Sequence, residues 1–371
     1  MQTNIDCLLP SMPERLARAR GDLAMGLPAL LTHDGARVLI VAIETLTQTR
    51  LDALRDMFGA PELLLTAKRG QAIMAPATAA LISDDTVRVC PPADATLEWF
   101  QKQADTQFDA ARAPTGPLHL VRNAATALHE AAIKLVKKAE LLPAVGLFTL
   151  PADMADNPLH LVPITAQDAL HHLALAPVLA PVAAARLPLE THDVGRLHVF
   201  RDPDGMSEHY AIEIGKPDPD QPVLSRLHSA CFTGDVLGSL KCDCGPQLDA
   251  ALARMGEEGA GVLLYLNQEG RGIGLANKMR VYDLQSKGLD TVEANHRLGY
   301  EDDERDFRIA AVMLSKLGFQ SVRLLTNNPA KVQTFHDNGI TITEQLPLRV
   351  GRNIHNQNYL SVKALKSGHM L

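Results

Sequence analysis

The sequence predicts an α/β protein of two domains, each a mixed sheet packed with helices. Short apolar runs alternate with segments of helical spacing, which is typical of strands and helices in layers. A chain of 371 residues corresponds to two domains at about 150 residues each. The tract 174–193 is interrupted by prolines and lacks a regular apolar period, and more glycine and charge follow it. We therefore predict domains over 1–190 and 194–371.

The first half contains the simpler amphipathic patterns. A helix is predicted around Leu16, after Pro13. The segments that follow are a buried strand RVLIVAI (37–43), a helix TQTRLDALRDMFG closed by Gly59, a strand ELLLTA and a helix TALHEAAIKLVKKAELL.

The second half is more sharply punctuated by turn residues. Its predicted elements are a helix PQLDAALARMGEEG with Pro246 in the first turn, a strand GVLLYL (261–266), a loop QEGRGIG (268–274), a helix LANKMRVYDLQSKG closed by Gly288, a helix DDERDFRIAAVMLSKLG, a strand SVRLLT (321–326) and a helix within NNPAKVQTFHDNG. For the last helix we predict Asn328 as N-cap and Pro329 as the first residue.

Composition excludes several classes of protein. Lys plus Arg total 36 and Asp plus Glu total 43, so the formal net charge is −7, which argues against a general nucleic-acid binder. A local basic pocket for a phosphorylated small molecule remains compatible with it. We find no apolar run long enough for a membrane helix, and we expect no signal peptide. Five cysteines, an odd and low number, indicate a reducing, cytoplasmic setting.

Three of the five cysteines, Cys231, Cys242 and Cys244, lie within fourteen positions. Thiolates favour Zn²⁺ among common cellular ions. Three ligands and an open fourth position are typical of a catalytic zinc site, whereas four protein ligands are typical of a structural one. The spacing leaves open a closed site with His228 or Asp235 as fourth ligand, and also three unrelated buried cysteines.

Two further segments have the pattern of anion sites. The loop 268–274 follows a strand and precedes a helix, and its glycines let backbone N–H groups approach an anion while Arg271 offers a guanidinium fork. An ordinary tight turn is the alternative, because the spacing fits no established phosphate motif. Lys331 falls in the first turn of a helix, where a cation is unfavourable unless an anion is bound.

Two other features have ordinary structural interpretations when taken alone. The stretch around Asp303 and Arg305 has the composition of a charged helix start with Asp302 as N-cap. Tyr282 shares a helical face with Leu275 and Met279, which indicates a core position.

Together these residues resemble GTP cyclohydrolase II over about residues 194–371. The resemblance is carried by SRLHSACFTGDVLGSLKCDCGPQLDAAL, LYLNQEGRGIGLANKMRVYDLQSKGLDTVEANHRLGY, DERDFRIAA and VRLLTNNPAKV. It implies hydrolysis of GTP to 2,5-diamino-6-(5-phosphoribosylamino)pyrimidin-4(3H)-one, formate and pyrophosphate, the first step of riboflavin biosynthesis. It also implies a homodimer, one catalytic Zn²⁺ per chain, and Mg²⁺ bound with the triphosphate.

The resemblance assigns roles to individual residues. Cys231, Cys242 and Cys244 would hold the zinc that activates water for attack on guanine C8, and Tyr282 would manage protons. The implied contacts to GTP are Arg226, Leu227, His228, Ser229, Gln247, Glu269, Gly270, Arg271, Thr291, Thr326 and Lys331.

The role of Arg305 has two interpretations under this resemblance. In the family it is proposed as the nucleophile at the α-phosphorus with Asp303 as its base. Arginine is always protonated at neutral pH, so the milder interpretation is that Arg305 stabilises charge on the α-phosphate. One departure is Ala230, where the family usually has Glu before the first zinc ligand. The loss of that carboxylate reduces the local negative charge and puts binding at that position in doubt.

The N-terminal half weakly resembles 3,4-dihydroxy-2-butanone 4-phosphate synthase through GLPALLTHDGARVLIVAIETLTQTRLDAL and LHEAAIKLVKKAELLPAVGLFTL. The family's acidic loop, which binds substrate and Mg²⁺, is replaced by Thr32-His-Asp-Gly-Ala36, and Glu44 and Glu130 alone do not form a site. We therefore expect a degenerate, non-catalytic domain. The alternatives are a bifunctional enzyme with an active synthase half and a non-catalytic GTP-binding regulator.

Overall fold

The structure is a computed structural model that describes residues 8–109, 118–121, 123, 125–151, 154, 159–205, 207–357 and 361. The chain forms two compact units. The first unit comprises Met1–Leu175 and Ala276–Asp303, and the second comprises Ala176–Leu275 and Glu304–Leu371. The predicted domain limits, 1–190 and 194–371, stay a prediction. No helix in the described part of the chain is long and apolar enough to cross a membrane.

The first half of the chain alternates strands and helices. Its elements are α1 (Met12–Ala24), β1 (Ala29–His33), β2 (Ala36–Ala42), α2 (Gln48–Phe58), β3 (Glu62–Thr66), α3 (Ala67–Ile73), α4 (Pro76–Ala79), β4 (Thr86–Cys90), α5 (Leu97–Ala104), β5 (His119–Leu120), α6 (Ala127–Lys138), β6 (Ala144–Thr149), β7 (Pro163–Thr165) and α7 (Ala166–Ala174).

The second half opens with antiparallel strands and then alternates helix and strand. Its elements are β8 (Ala180–Arg186), β9 (Gly195–Arg201), β10 (Glu208–Gly215), β11 (Val223–Ser229), α8 (Cys244–Glu258), β12 (Ala260–Leu266), the single irregular turn α9 (Glu269–Gly272), α10 (Gly274–Ser286), α11 (Thr291–Leu298), α12 (Arg308–Lys316), β13 (Ser321–Leu325), α13 (Pro329–Asp337) and β14 (Thr341–Leu346).

The sheet of the first unit has the order β5-β4-β3-β6-β2-β1-β7. Only the β1–β7 pairing is parallel among these neighbours, so the sheet is mixed. Helices cover both faces. In β2, Ile40 packs with residues of α1, α6 and α7, whereas Leu39 and Val41 pack with residues of α2 and α5. Successive side chains of a strand point to opposite faces of the sheet. Because both faces are buried here, β2 is an uninterrupted apolar run.

The sheet of the second unit has the order β14-β13-β11-β12-β10-β9-β8. The pairings β14–β13, β13–β11 and β11–β12 are parallel, and the pairings β12–β10, β10–β9 and β9–β8 are antiparallel. Leu264 packs with residues of α12 and α13 on one face, and Leu263 packs with residues of α8 on the other. The predicted fold class, two mixed sheets packed with helices, is confirmed.

Most predicted elements are confirmed, and one boundary is wrong. The strand predicted over 37–43 is β2, Gly59 ends α2 at φ 82°, and the Asn328 side chain caps α13 by accepting from the Ala330 N–H at 2.9 Å. The helix predicted from Asp302 begins only at Arg308. The acidic stretch before it is non-helical because its backbone is paired elsewhere, as described below.

Candidate functional site

The topology of the second unit gathers three loops at one edge of its sheet. Strands β12, β11 and β13 are adjacent and parallel, so their carboxyl ends lie at the same edge. The loops that leave them are 230–243, 267–273 and 326–328. Ligands of open α/β sheets bind in the crevice outside the carboxyl ends of the strands, and this edge carries most of the predicted site residues.

The three clustered cysteines converge. The Sγ atoms of Cys231, Cys242 and Cys244 all lie within 4.8 Å of one another, and those of Cys231 and Cys242 are 3.7 Å apart. Cys231 and Cys242 are each 5% exposed. The hydrogen bond with Cys231 raises the pKa of Cys242 to about 11. Three converging sulfurs fit a soft divalent ion such as zinc, and Cys244 opens α8, where the helix dipole favours a thiolate.

Asp235 shapes the turn that carries the first cysteine. Its carboxylate accepts the Cys231 backbone N–H at 3.0 Å and the Tyr265 hydroxyl at 2.9 Å, and it contacts His228 Nε2 at 3.1 Å. Burial lowers the pKa of His228, and burial together with the Asp235 charge raises that of Tyr265.

The three thiols have no fourth protein ligand within the described residues. No histidine or carboxylate there joins them within the same 4.8 Å. His228 and Asp235, the two alternatives for a fourth ligand of a closed site, bind each other instead.

The predicted loop 268–274 has the left-handed backbone that its glycines allow. Gly270 and Arg271 have φ of 63° and 65°. The Glu269 carboxylate accepts the N–H of Phe232 at 2.6 Å and that of Gly270 at 2.8 Å. It therefore ties this loop to the cysteine loop.

The same loop holds the segment that carries Arg305. Gln268 makes a pair of hydrogen bonds with the backbone of Asp306, donating to its carbonyl at 3.0 Å and accepting its N–H at 2.9 Å. The Arg271 carbonyl accepts the Glu304 N–H at 3.0 Å. A Cβ on Gly272 would lie 2.9 Å from the Glu304 carbonyl. These contacts replace the helical hydrogen bonds that the sequence predicted for 302–306.

Two cations meet at the end of β11. Arg305 donates to the Ser229 hydroxyl at 3.2 Å, and Lys331 donates to the Leu227 carbonyl at 2.8 Å. The Arg305 guanidinium lies 4.7 Å and the Lys331 amine 5.3 Å from the ring centroid of Phe307. Two like charges around one ring form a cluster of positive potential suited to an anion.

Arg226 lies beneath this cluster with Gln247 and Thr326. Arg226 is buried, donates to the Leu325 carbonyl at 3.0 Å and is hydrogen-bonded to Gln247. Burial lowers its pKa to about 10, with Asp243 opposing the shift, so it is charged at neutral pH. The Thr326 hydroxyl accepts the Asn328 N–H at 3.1 Å at the start of α13. These side chains stabilise the walls of the crevice.

Three predicted site residues, Tyr282, Thr291 and Asp303, belong to the first unit. Tyr282 is half-buried with the Lys278 amine 5.7 Å from its ring centroid, and the Thr291 hydroxyl accepts from Gln285 at 2.9 Å. The predicted core face around Tyr282 is wrong, because Leu275 and Met279 are 38% and 40% exposed.

Sequence reasoning missed the supporting residues of the site. Gly234 packs against all three cysteines, Gln268 forms hydrogen bonds with the backbone of Asp306, and the Phe307 ring contacts both cations. Gln268 stands next to the predicted loop residue Glu269, and Gly234 lies inside the span of the cysteines. Their places in the sequence were the available signals for a supporting role, but neither place indicates which residues Gln268 or Gly234 would contact.

Comparisons with known proteins identify relatives of this chain. A model of the GTP cyclohydrolase II family matches residues 181–347. GTP cyclohydrolase-2 of Azospirillum brasilense is 40% identical over 358 residues, covering 92% of this chain and 90% of that protein. GTP cyclohydrolase-2 of Neisseria gonorrhoeae is 51% identical over 197 residues, covering 53% of this chain and 99% of that protein.

A solved structure of RibBX, a two-domain 3,4-dihydroxy-2-butanone 4-phosphate synthase from A. baumannii, aligns with 92% of this chain at 15% identity and a TM-score of 0.35, which is too low to support an argument. The sequence relatives place the chain among enzymes that act on GTP. The chain belongs to the GTP cyclohydrolase II family, as the resemblance over its second half indicated.

Proposed function

We propose that the chain hydrolyses GTP to 2,5-diamino-6-(5-phosphoribosylamino)pyrimidin-4(3H)-one, formate and pyrophosphate, the first step of riboflavin biosynthesis. The observation that carries this proposal is the convergence of three thiols within 4.8 Å, on the loop that leaves β11 and the first residue of α8. Arg305 and Lys331 bind the end of the same strand. One group suits a catalytic metal and the other suits phosphates. Both belong to a chain of the GTP cyclohydrolase II family.

Cys231, Cys242 and Cys244 would hold a zinc ion through their thiolates. When bound, such an ion supplies Lewis-acid activation of water for hydrolysis. The buried Asp235 fixes the backbone of Cys231, and the Glu269 carboxylate fixes that of Phe232. These contacts fix the backbone around the first of the three cysteines, and Mg²⁺ would accompany the triphosphate.

Arg305 is assigned to the α-phosphate as a stabiliser of developing charge. A guanidinium stays protonated, so its hydrogen bond to Ser229 and its place beside Lys331 suit electrostatic work better than nucleophilic attack. In this proposal Asp303 orients Arg305 or a water molecule, and Tyr282 transfers a proton during opening of the guanine ring.

The remaining proposed contacts surround the substrate. Arg226, which donates to the Leu325 carbonyl and is hydrogen-bonded to Gln247, sets the shape of the crevice. The full set proposed to contact GTP is Arg226, Leu227, His228, Ser229, Gln247, Glu269, Gly270, Arg271, Thr291, Thr326 and Lys331. Ala230 donates its N–H to the Leu266 carbonyl. Its side chain is a methyl group where the family usually has the carboxylate of Glu.

We propose that the N-terminal half has no synthase activity. The place of the acidic loop is a two-residue hairpin turn, since His33 pairs with Ala36 across Asp34 and Gly35. A turn of two residues is too short to form a substrate-binding loop. Purified protein supplied with ribulose 5-phosphate and Mg²⁺ is expected to leave the substrate unchanged; detectable turnover contradicts this part of the proposal.

The test of the main proposal follows product absorbance after addition of GTP, Mg²⁺ and Zn²⁺, with formate measured separately. A diaminopyrimidine product that disappears with a chelator or in Cys231→Ser supports the proposal. GTP binding without any chelator-sensitive product identifies a non-catalytic binder instead. We also propose that the chain forms a homodimer in the cytoplasm. A measurement of its molar mass in solution tests the dimer.

A further inference from the structure

We propose that the N-terminal half holds the inserted segment, residues 276–303, in place, with Arg280 as its principal anchor. The inserted segment belongs to the first unit together with Met1–Leu175. It carries Tyr282, Thr291 and Asp303, so the inference rests on the function proposed for them. An N-terminal half without a reaction of its own would thus serve as a support for part of the GTP site.

The Arg280 guanidinium joins two acidic side chains of the N-terminal half. Its Nη2 donates to Glu44 Oε1 at 2.9 Å, and its Nε lies 3.3 Å from Asp105 Oδ2. Its Nη1 donates within α10 to Asn277 at 2.8 Å. Because the side chains of Arg280, Glu44 and Asp105 are 24%, 19% and 10% exposed, these charge-assisted bonds are only partly screened by solvent.

Two buried polar side chains reinforce the anchor. Asn277 is fully buried and donates to the Glu140 carbonyl at 2.8 Å and to the Tyr300 hydroxyl at 3.0 Å. Tyr300, also fully buried, donates to the Leu141 carbonyl at 2.6 Å. Since an unpaired buried polar group is destabilising, breaking either end of this network is unfavourable.

A third contact fixes the end of α11. Arg69, which is 1% exposed, binds Asp109 through both guanidinium nitrogens and donates to the Arg297 carbonyl at 3.0 Å. Arg297 returns a bond to Asp109 at 2.8 Å. Gly299, at φ 95°, allows this approach, because a Cβ there would lie 2.6 Å from Thr66 Oγ1. The segment is therefore held at both of its helices.

Helix geometry places the anchor and Tyr282 on different sides of α10. Asn277 and Arg280 are three residues apart and share a face, whereas a residue two positions beyond Arg280 lies about 200° around the helix. Tyr282 is half-buried, and Met279 is 40% exposed. The anchor thus holds one side of the helix, and Tyr282 lies on another.

Glu44, an acidic residue of the N-terminal half, is engaged in structural contacts. Its carboxylate is occupied by Arg280 and by the Leu142 N–H at 2.7 Å. The other acidic side chain noted from the sequence, Glu130, is half exposed and pairs with Lys134. A carboxylate neutralised by a guanidinium is a structural anchor rather than a metal ligand.

The test compares Arg280→Gln, Glu44→Gln and the double variant in the full chain, with Lys134→Gln as the control. The control removes one charge from an exposed ion pair on α6 that does not involve the inserted segment. The readouts are hydrogen exchange of peptides covering 276–303, and kcat and KM for GTP. Both single variants are expected to speed exchange of the segment about tenfold and to lower kcat/KM at least about tenfold.

The double variant is expected to be no worse than Arg280→Gln alone, because Arg280→Gln already removes the contact that Glu44→Gln removes. If Arg280→Gln fails to fold, Glu44→Gln supplies the test, since its amide keeps the acceptor for Leu142. Unchanged exchange overturns the anchor, and faster exchange with unchanged GTP kinetics overturns its role in the site. A wild-type protein that leaves GTP intact refutes the proposed function, while the exchange data still decide the anchor.

Discussion

Gly234 offers the sharpest test of the cysteine site. It lies in the turn between Cys231 and Asp235, and its missing side chain leaves room for the three cysteine side chains. A Cβ at this position would lie 2.9 Å from Cys242 Sγ, 3.0 Å from Cys244 Cβ and 3.1 Å from Cys231 Sγ. Gly234→Ala therefore pushes on all three ligands with the smallest possible change.

The size of the effect follows from these distances. Ordinary contact begins at 3.4 Å, so the Cys242 sulfur has to move by about 0.5 Å. Zinc–sulfur bonds of about 2.3 Å tolerate about 0.2 Å of deviation, so the displaced sulfurs no longer fit one ion together. We expect metal affinity to fall about 10–100-fold, the range found when groups supporting metal ligands are altered.

The assay is competition for Zn²⁺ against a chromophoric chelator, with circular dichroism as a check on folding. Gly238→Ala is the matched control: it adds a methyl in the same loop, at φ 62°, with nothing within 4 Å. The control is expected to bind zinc like the wild type despite some backbone strain. Wild-type affinity in Gly234→Ala, or an equal loss in both variants, would refute the reasoning.

Three further predictions concern catalysis and stability. Arg305→Ala is expected to lower pyrophosphate release about 100–1,000-fold; pyrophosphate and formate are followed separately, and unchanged pyrophosphate release contradicts both roles considered for this residue. Gln268→Leu removes both hydrogen bonds to Asp306 and is expected to lower kcat with zinc content unchanged, whereas loss of zinc would contradict a role confined to that segment. Burial lowers the pKa of His209 to about 4, and its Nδ1 accepts the Asn267 N–H, so the unfolded chain binds a proton that the folded chain excludes between pH 6.5 and 4. Stability therefore falls as pH falls through that window, by up to about 1.4 kcal/mol per pH unit, and His209→Gln is expected to flatten that part of the urea-midpoint profile; an identical slope in the variant contradicts it.

The sequence was sufficient for features that depend on local order. The apolar run of β2, the Gly59 end of α2 and the Asn328 cap of α13 follow from propensity and pattern over a few residues. The helix predicted to start at Asp302 was wrong, because the backbone of this stretch forms hydrogen bonds with residues distant in sequence instead of helical ones. Gln268 binds the backbone of Asp306, which a helix would have used internally.

For the site, the cysteine spacing indicated a metal but not the number of protein ligands. His228 and Asp235 were equally good fourth ligands by spacing. In the structure these two side chains contact each other, and Asp235 accepts the Cys231 N–H. Such pairing depends on how β11 and its loop fold together. Likewise, Tyr282 had the spacing of a core residue, yet the exposure of Met279 on the same face is decided by packing.

The sequence by itself therefore determined the fold class, the family and the identity of the candidate chemical groups, because motifs and amphipathic periods are written in neighbouring residues. Only the tertiary structure decided which groups meet. It brought Arg305 and Lys331 to one end of β11, placed Gly234 against the thiols and joined Arg280 to Glu44 across 236 positions. Contacts between residues so far apart in sequence depend on the packing of whole elements, which no local pattern specifies.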